Sequence, residues 1–181
     1  MKKILTIAIV CFSLCLTFKV NAQPPTGEEI KAQFIKDWER AKAYTVDYLN
    51  TMPANKYSFK AHDSIRSFAQ QMLHLAQANV GLLMGAVGEP LSFARANLEG
   101  SPTAQTKDSV MYYVTASYDY CINAVKTFDL AKWGETKQQF GFTETRYALM
   151  IKTFEHQTHH RGQATIYIRL QGIRPPQEQL F

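Results

Sequence analysis

Four stretches of this chain carry apolar side chains three and four residues apart, and no alternating run extends far enough to specify a sheet. That pattern commits the chain to an all-α fold in which each helix buries a stripe against its neighbours. The first stretch follows Pro24-Pro25, where Thr26 and Glu29 have the spacing of a capping box. It carries Ile30, Phe34, Trp38, Ala41, Tyr44 and Tyr48 and ends before Pro53. Tyr57-Ser58-Phe59-Lys60 is a short connector. Asp63 or Ser64 is the expected cap of a second helix containing Ile65, Phe68, Met72, Leu75, Ala76, Leu82 and Leu83. This helix is apolar on more than one side, which implies deep burial, and Gly88-Glu89-Pro90 stops it.

From there to Thr106 the chain shows little periodicity and holds Gly100, Ser101 and Pro102. A connection of this length can cross over the end of a bundle, whereas short turns join adjacent antiparallel helices. The third helix is expected from about Lys107 to Phe128, with Val110, Tyr113, Val114, Ser117, Tyr118, Cys121 and Val125 at helical spacing. Lys132 to Phe142 reads as loop, and Thr143 as the cap of a fourth helix running to about Gln171. Gly172 there suits a left-handed terminus, and Pro175-Pro176 forbids continuation. The expectation is a four-helix bundle with its longest connection between the second and third helices.

The N-terminus reads differently. Met1-Lys2-Lys3 is basic, Ile4 to Phe18 is almost wholly apolar, and Val20-Asn21-Ala22 places small residues where a signal peptidase cuts. Residues 1–22 are therefore expected to be a secretory signal peptide and residues 23–181 a single domain, exported to the periplasm or beyond the cell. A retained anchor would need about 20 apolar residues, and a lipoprotein signal at Cys15 would need small residues where Phe12-Ser13-Leu14 stand. Cleavage removes Lys2, Lys3 and Lys19, so the formal charge of +5 shrinks by three. What remains has no concentrated basic patch of the kind nucleic-acid binding requires. Cys11 and Cys15 leave as well, so Cys121 stands alone and no internal disulfide can form.

The chemistry concentrates near the C-terminus, in Glu155-His156-Gln157-Thr158-His159-His160-Arg161-Gly162-Gln163. His156 and His160 lie about 40° apart around a helix axis and about 6 Å along it, so both imidazoles can reach one metal ion. Gln163 and Tyr167 continue the same face and are candidates for orienting a substrate or a water. The competing reading makes this face the solvent side of the helix, or its polar groups hydrogen-bonded partners inside the bundle. Spacing leaves His159 open as the second ligand in place of His160. Two histidines are too few for a catalytic centre, which commonly uses three protein ligands and one open position. A third ligand would come from His62 or His74. These two are about 18 Å apart if helical, so only one can take part. His74 is favoured, because a bare imidazole among Met72, Leu75 and Ala78 needs a partner. Arg161 and Arg169 suit either an acidic substrate or structural ion pairs. Cys121 reads as a small core residue, with no histidine near it in sequence.

The run His156-Gln157-Thr158-His159-His160-Arg161-Gly162-Gln163, followed by Tyr167-Ile168-Arg169-Leu170-Gln171-Gly172 and Pro175-Pro176, resembles the last-helix signature of the DinB/YfiT-like family of small metal-binding proteins. His74 on the second helix, Pro53 with Tyr57-Ser58-Phe59, and the overall length extend the resemblance over the mature chain. The resemblance implies an up-down-down-up bundle in which one histidine of the second helix and two of the fourth bind a divalent ion such as zinc or nickel. Carried onto this sequence, these are His74, His156 and His160. It also implies a small-molecule substrate, a low-molecular-weight thiol as cosubstrate, and a homodimer. An exported protein meets different thiols from a cytoplasmic one.

Three neutral imidazoles leave the ion its double charge, which favours lowering the pKa of water or of a thiol. The expected function is therefore hydrolysis of a small molecule or transfer of sulfur to an electrophile. The alternative is a non-catalytic bundle with a structural ion. Such a site would usually be closed by a fourth protein ligand, for which Glu155, His159 or a carboxylate of the third helix are the candidates.

Overall fold

The computed structural model describes residues 23–88 and 92–181; the proposed signal peptide lies outside the described residues. Among the described residues four helices, α1 (Gly27–Thr51), α2 (Phe68–Val87), α3 (Lys107–Thr127) and α4 (Arg146–Leu170), carry the fold. Single 3-10 turns follow α1 and α3, at Ala54–Lys56 and Leu130–Lys132, and a hairpin of β1 (Thr136–Gln139) and β2 (Phe142–Thr145) precedes α4. The protein is an all-α four-helix bundle. No helix among the described residues is long and apolar enough to cross a membrane.

Thr26 and Glu29 form the expected reciprocal box at the start of α1. The second helix begins later than expected. Its cap is Ser67, which makes a capping box with Gln70, and not Asp63 or Ser64. The delay has a backbone cause: Phe68 N–H donates to Phe59 O at 2.9 Å and Ala69 N–H to Tyr57 O at 2.8 Å, so residues 60–67 turn back on the connector before the helix can start. Ile65, expected inside the helix, sits in this turn and is 41% exposed.

The fourth helix is capped by Thr145 rather than Thr143, because Thr143 is already paired with Gln138 in the hairpin. That hairpin replaces the loop expected between residues 132 and 142. Its strands have only four residues each, too few for their alternation to register. Phe140 and Gly141 form the two-residue turn with φ of 52° and 84°, the left-handed pair that matches strand twist. Gln139 seats the hairpin on α2. Its Nε2 donates to Gly81 O at 3.3 Å and Leu82 O at 3.2 Å, and its side chain fills the space a Cβ at Gly85 would occupy.

Contacts along the helices give their directions. Lys31 near the start of α1 reaches Phe128 O at 3.0 Å, while Lys107 at the start of α3 reaches Met52 O at 3.1 Å, so α1 and α3 are antiparallel. Phe34 packs on Phe154 and Tyr48 bonds Thr165, so α1 and α4 run the same way. Arg146 bonds Ala86 O and Tyr167 bonds Arg66 O, so α2 and α4 are antiparallel. It follows that α2 and α3 point in the same direction, and the bundle is up-down-down-up.

The connection between α2 and α3 therefore does not simply cross the end of the bundle. It must climb back along the length of α2, about 30 Å for 20 helical residues. Gln77 of α2 donates to Phe93 O at 3.5 Å, and Gln70, two turns earlier, donates to Glu99 O at 3.0 Å. Fully buried Trp38, Tyr118, Phe68, Met72, Leu75 and Met150 form the centre of the core.

Truncating the Ser67 cap should cost about 1 kcal/mol, while Ser64→Ala should stay within about 0.5 kcal/mol. Urea denaturation of the two variants separates the observed helix start from the earlier one.

Candidate metal centre

Antiparallel packing of α2 on α4 sets His74 opposite His156 and His160, which follow one another by one turn. The ring centroids of His74 are 5.6 Å from those of His156 and 4.6 Å from those of His160; the latter two are 4.3 Å apart. One nitrogen from each ring lies within 4.8 Å of the other two. The Nε2 atoms of His156 and His160 face each other at 3.1 Å. Two nitrogens about 2.0–2.1 Å from a common tetrahedral ion would be about 3.3 Å apart, so the pair is already near that spacing and the donor set fits a divalent metal.

The outer nitrogens are held from behind. His74 Nδ1 meets Glu99 Oε1 at 2.9 Å, and Arg66 Nε donates to the other oxygen, Oε2, at 2.6 Å. The Glu99 backbone is itself fixed, its carbonyl accepting from Gln70 at 3.0 Å and Gln105 at 2.8 Å. Gln71 meets His160 Nδ1 at 2.7 Å and also bonds Gln163. With its Nδ1–H given to the Glu99 carboxylate, His74 has Nε2 left for an ion. A carboxylate behind a histidine fixes its tautomer and raises its basicity. His156 Nδ1 is buried and finds no partner among the described residues.

The electrostatics favour neutral rings. Burial, then the neighbouring histidines and Arg66, push both His156 and His160 below the ordinary imidazole value, His160 to about 3. At neutral pH both keep the lone pair that a metal requires. Burial pushes Glu99 upward, but Arg66 and His74 outweigh it and hold the carboxyl below its usual range, so it is ionised.

Next to the groups that hold the rings from behind, a cavity of about 690 Å³ opens to solvent; Gln71, Glu99 and Arg66 line it together with Lys60, Ile65, Gln163, Ile166 and Tyr167, while the three rings are not part of its wall. Its size is that of a small-molecule site. Gln163 is exposed and links Gln71 to His159, whose Nε2 lies 2.9 Å from Gln163 Nε2. The Tyr167 hydroxyl donates to Arg66 O at 2.8 Å.

The remaining candidates lie elsewhere. His159 is exposed and turned to Gln163, and His62 is exposed and bonded to Ser64. Arg169 is exposed in the last turn of α4. Arg161 serves neither of its expected roles. It is buried, donates to Gln157 Oε1 at 3.0 Å, and stacks 4.6 Å from the Tyr44 ring centroid. Cys121 is a buried thiol pushed well up by desolvation, bonded to Asn79 O at 3.6 Å.

Sequence reasoning missed Glu99, Arg66 and Gln71. Gln71 had a signal, three residues before His74 and so on its face of the helix. Arg66 and Glu99 had none, since both lie in irregular chain.

The model of the DinB family matches residues 23–180 of the chain. Two solved structures share the fold. A DinB-like protein from Bacillus cereus superposes with a TM-score of 0.71 at 16% identity, covering 81% of this chain and 95% of that one. A DinB-like protein, YjoA, from Bacillus subtilis gives 0.59 at 18% identity, covering 82% and 96%. A comparison with curated proteins finds no match.

Because His160 titrates near pH 3 in the folded chain and near 6.5 when unfolded, the unfolded state takes up protons first as pH falls. The stability of the metal-free protein should be complete above pH 6.5 and decline from there toward pH 3. Denaturation midpoints between about pH 7 and pH 4.5 check this, and His160→Gln should flatten the curve.

Proposed function

We propose that this chain, which belongs to the DinB family, is a metal-dependent enzyme acting on a small molecule, with one divalent ion held by His74, His156 and His160. The observation that carries the reading is an incomplete donor set beside a cavity. Three imidazoles converge, and among the described residues no fourth acidic, histidine or cysteine group joins them. Glu155 is exposed, His159 is spent on Gln163, α3 contributes nothing, and both oxygens of Glu99 are occupied by His74 and Arg66. A structural ion would call for a closed shell.

When bound, zinc or nickel in a neutral three-nitrogen site supplies a full double charge that acidifies water or a thiol. Hydrolysis and thiol-dependent sulfur transfer are the two reactions this supports. The chain's own residues do the rest. Glu99 orients His74, and Gln71 orients His160. Gln163, at the junction of the rings and the cavity, offers amide groups to a substrate or a nucleophile. Tyr167 has already given its proton to Arg66 O, so it remains an acceptor and a wall of the site. Both act as positioning groups.

The purified chain should carry about one equivalent of zinc or nickel by elemental analysis. His74→Ala and His156→Ala should lose the metal and keep the helical circular dichroism spectrum. Metal-free protein after reconstitution would defeat the proposal. Glu99→Gln should weaken metal affinity by roughly 10–100-fold in competition with a chelator. Gln163→Ala should retain the metal and lower turnover in a screen of hydrolase and thiol-transfer substrates.

A further inference from the structure

The wall of the cavity carries an arginine, Arg66, with hydrogen-bond donors beyond the one it gives to Glu99. Arg66 is fixed at both ends: its carbonyl accepts from Tyr167 Oη at 2.8 Å, and its Nε donates to Glu99 Oε2 at 2.6 Å. The side chain, 41% exposed, stands on the cavity wall with its Nε tied to Glu99. Among the described residues its two Nη nitrogens have no hydrogen-bond acceptor. Arginine presents its donors as a planar fork that matches a carboxylate. Here one edge is used to orient the group, and the terminal nitrogens remain for a ligand.

The surrounding charges point the same way. Glu99, the acidic group nearest Arg66, has both oxygens engaged and is compensated by Arg66 and His74. Lys60 adds a second cation to the lining, and Asp63, also on the lining, is exposed and pairs with no cation among the described residues. Lys60 is exposed as well, so solvent screens it and Asp63 alike, and Arg66 is the cation tied into the site. Ile65 and Ile166 also line the cavity and stand 41% and 55% exposed.

From this geometry we infer that Arg66 is the specificity-determining residue of the site, and that its substrates are small molecules bearing a carboxylate on an apolar body. The carboxylate sits on the Arg66 fork, and the apolar part lies against Ile65 and Ile166. The assignment of substrate class rests on the metal-enzyme reading above; the anion subsite itself uses only protein groups.

The test titrates phenylacetate and its neutral counterpart phenylacetamide into the full chain by calorimetry, both metal-free and zinc-loaded, with zinc content measured on the same samples. Phenylacetate should bind at least about tenfold more tightly, in keeping with a charge-assisted fork. Arg66→Gln should erase that preference, Arg66→Lys should keep part of it, and Lys60→Gln should reduce it a few-fold. Equal binding of the two probes, or a preference that survives both Arg66→Gln and Lys60→Gln, overturns the inference. Because the metal-free titration needs no ion, failure to take up zinc would count against the metal reading alone. Loss of discrimination in zinc-replete protein would count against the anion subsite alone.

Discussion

Two neighbouring helices that run in the same direction, α2 and α3, impose the constraint on which the rest depends. Antiparallel neighbours are joined by a short turn, but a parallel pair obliges the chain to return the length of the first helix before the second can begin. The return segment lies along α2 and arrives, eight residues before α3 begins, beside the N-terminal half of α2. Glu99 is delivered there, opposite His74 and Arg66, with its carbonyl tied by Gln70 and Gln105. The same topology leaves α2 antiparallel to α4, which brings His74 level with His156 and His160. The metal centre is thus where two helices and one irregular segment meet, and the irregular segment supplies the charge.

That division of labour has an electrostatic logic. A carboxylate among the metal's direct ligands would neutralise part of its charge and weaken its power to acidify a bound group. Placed one bond away, behind His74, Glu99 stabilises the ring's orientation without lowering the ion's charge to the same degree. Arg66 in turn compensates Glu99, a partly buried anion. His74, Glu99 and Arg66 form a chain in which each member justifies the next, and it ends in the cavity.

How much of this was legible follows from the range of the interactions. Thr26 with Glu29, and Gly172 with φ of 73°, are local devices written in adjacent residues, and both were read correctly. The His156 and His160 spacing is equally local. The start of α2 was expected at Asp63 or Ser64, whereas pairing of the turn with the Phe59 segment delays it to Ser67, about one turn later. The hairpin at 136–145 escaped because its strands are short and its docking depends on Gly85 leaving room for Gln139. Glu99 and Arg66 were invisible for a stronger reason. Nothing in the residues around them distinguishes them from other surface charges, and only the return path brings them together.

Arg161 shows why the polar character of α4 is not that of a solvent face. His156 and His160 form one stripe; Gln157 and Arg161, each one residue later, form a second about 100° around the axis. The first stripe faces His74 and Gln71 of α2, whereas the second is buried against α1 and α3. There Arg161 lies against Tyr44 and bonds Gln157, while Tyr118 donates to the same Gln157 oxygen at 2.7 Å and meets Thr45 at 2.7 Å. A buried arginine with no carboxylate partner among the described residues is costly unless carbonyl groups and an aromatic face receive it, and here they do. Such a network tolerates only one rotation of α4 about its axis, since turning the helix would strand the guanidinium. Fixing that rotation fixes the histidines of the other stripe. The internal polar network therefore acts on the metal centre at one remove, holding its two α4 rings toward His74 through the rigidity of the helix they share.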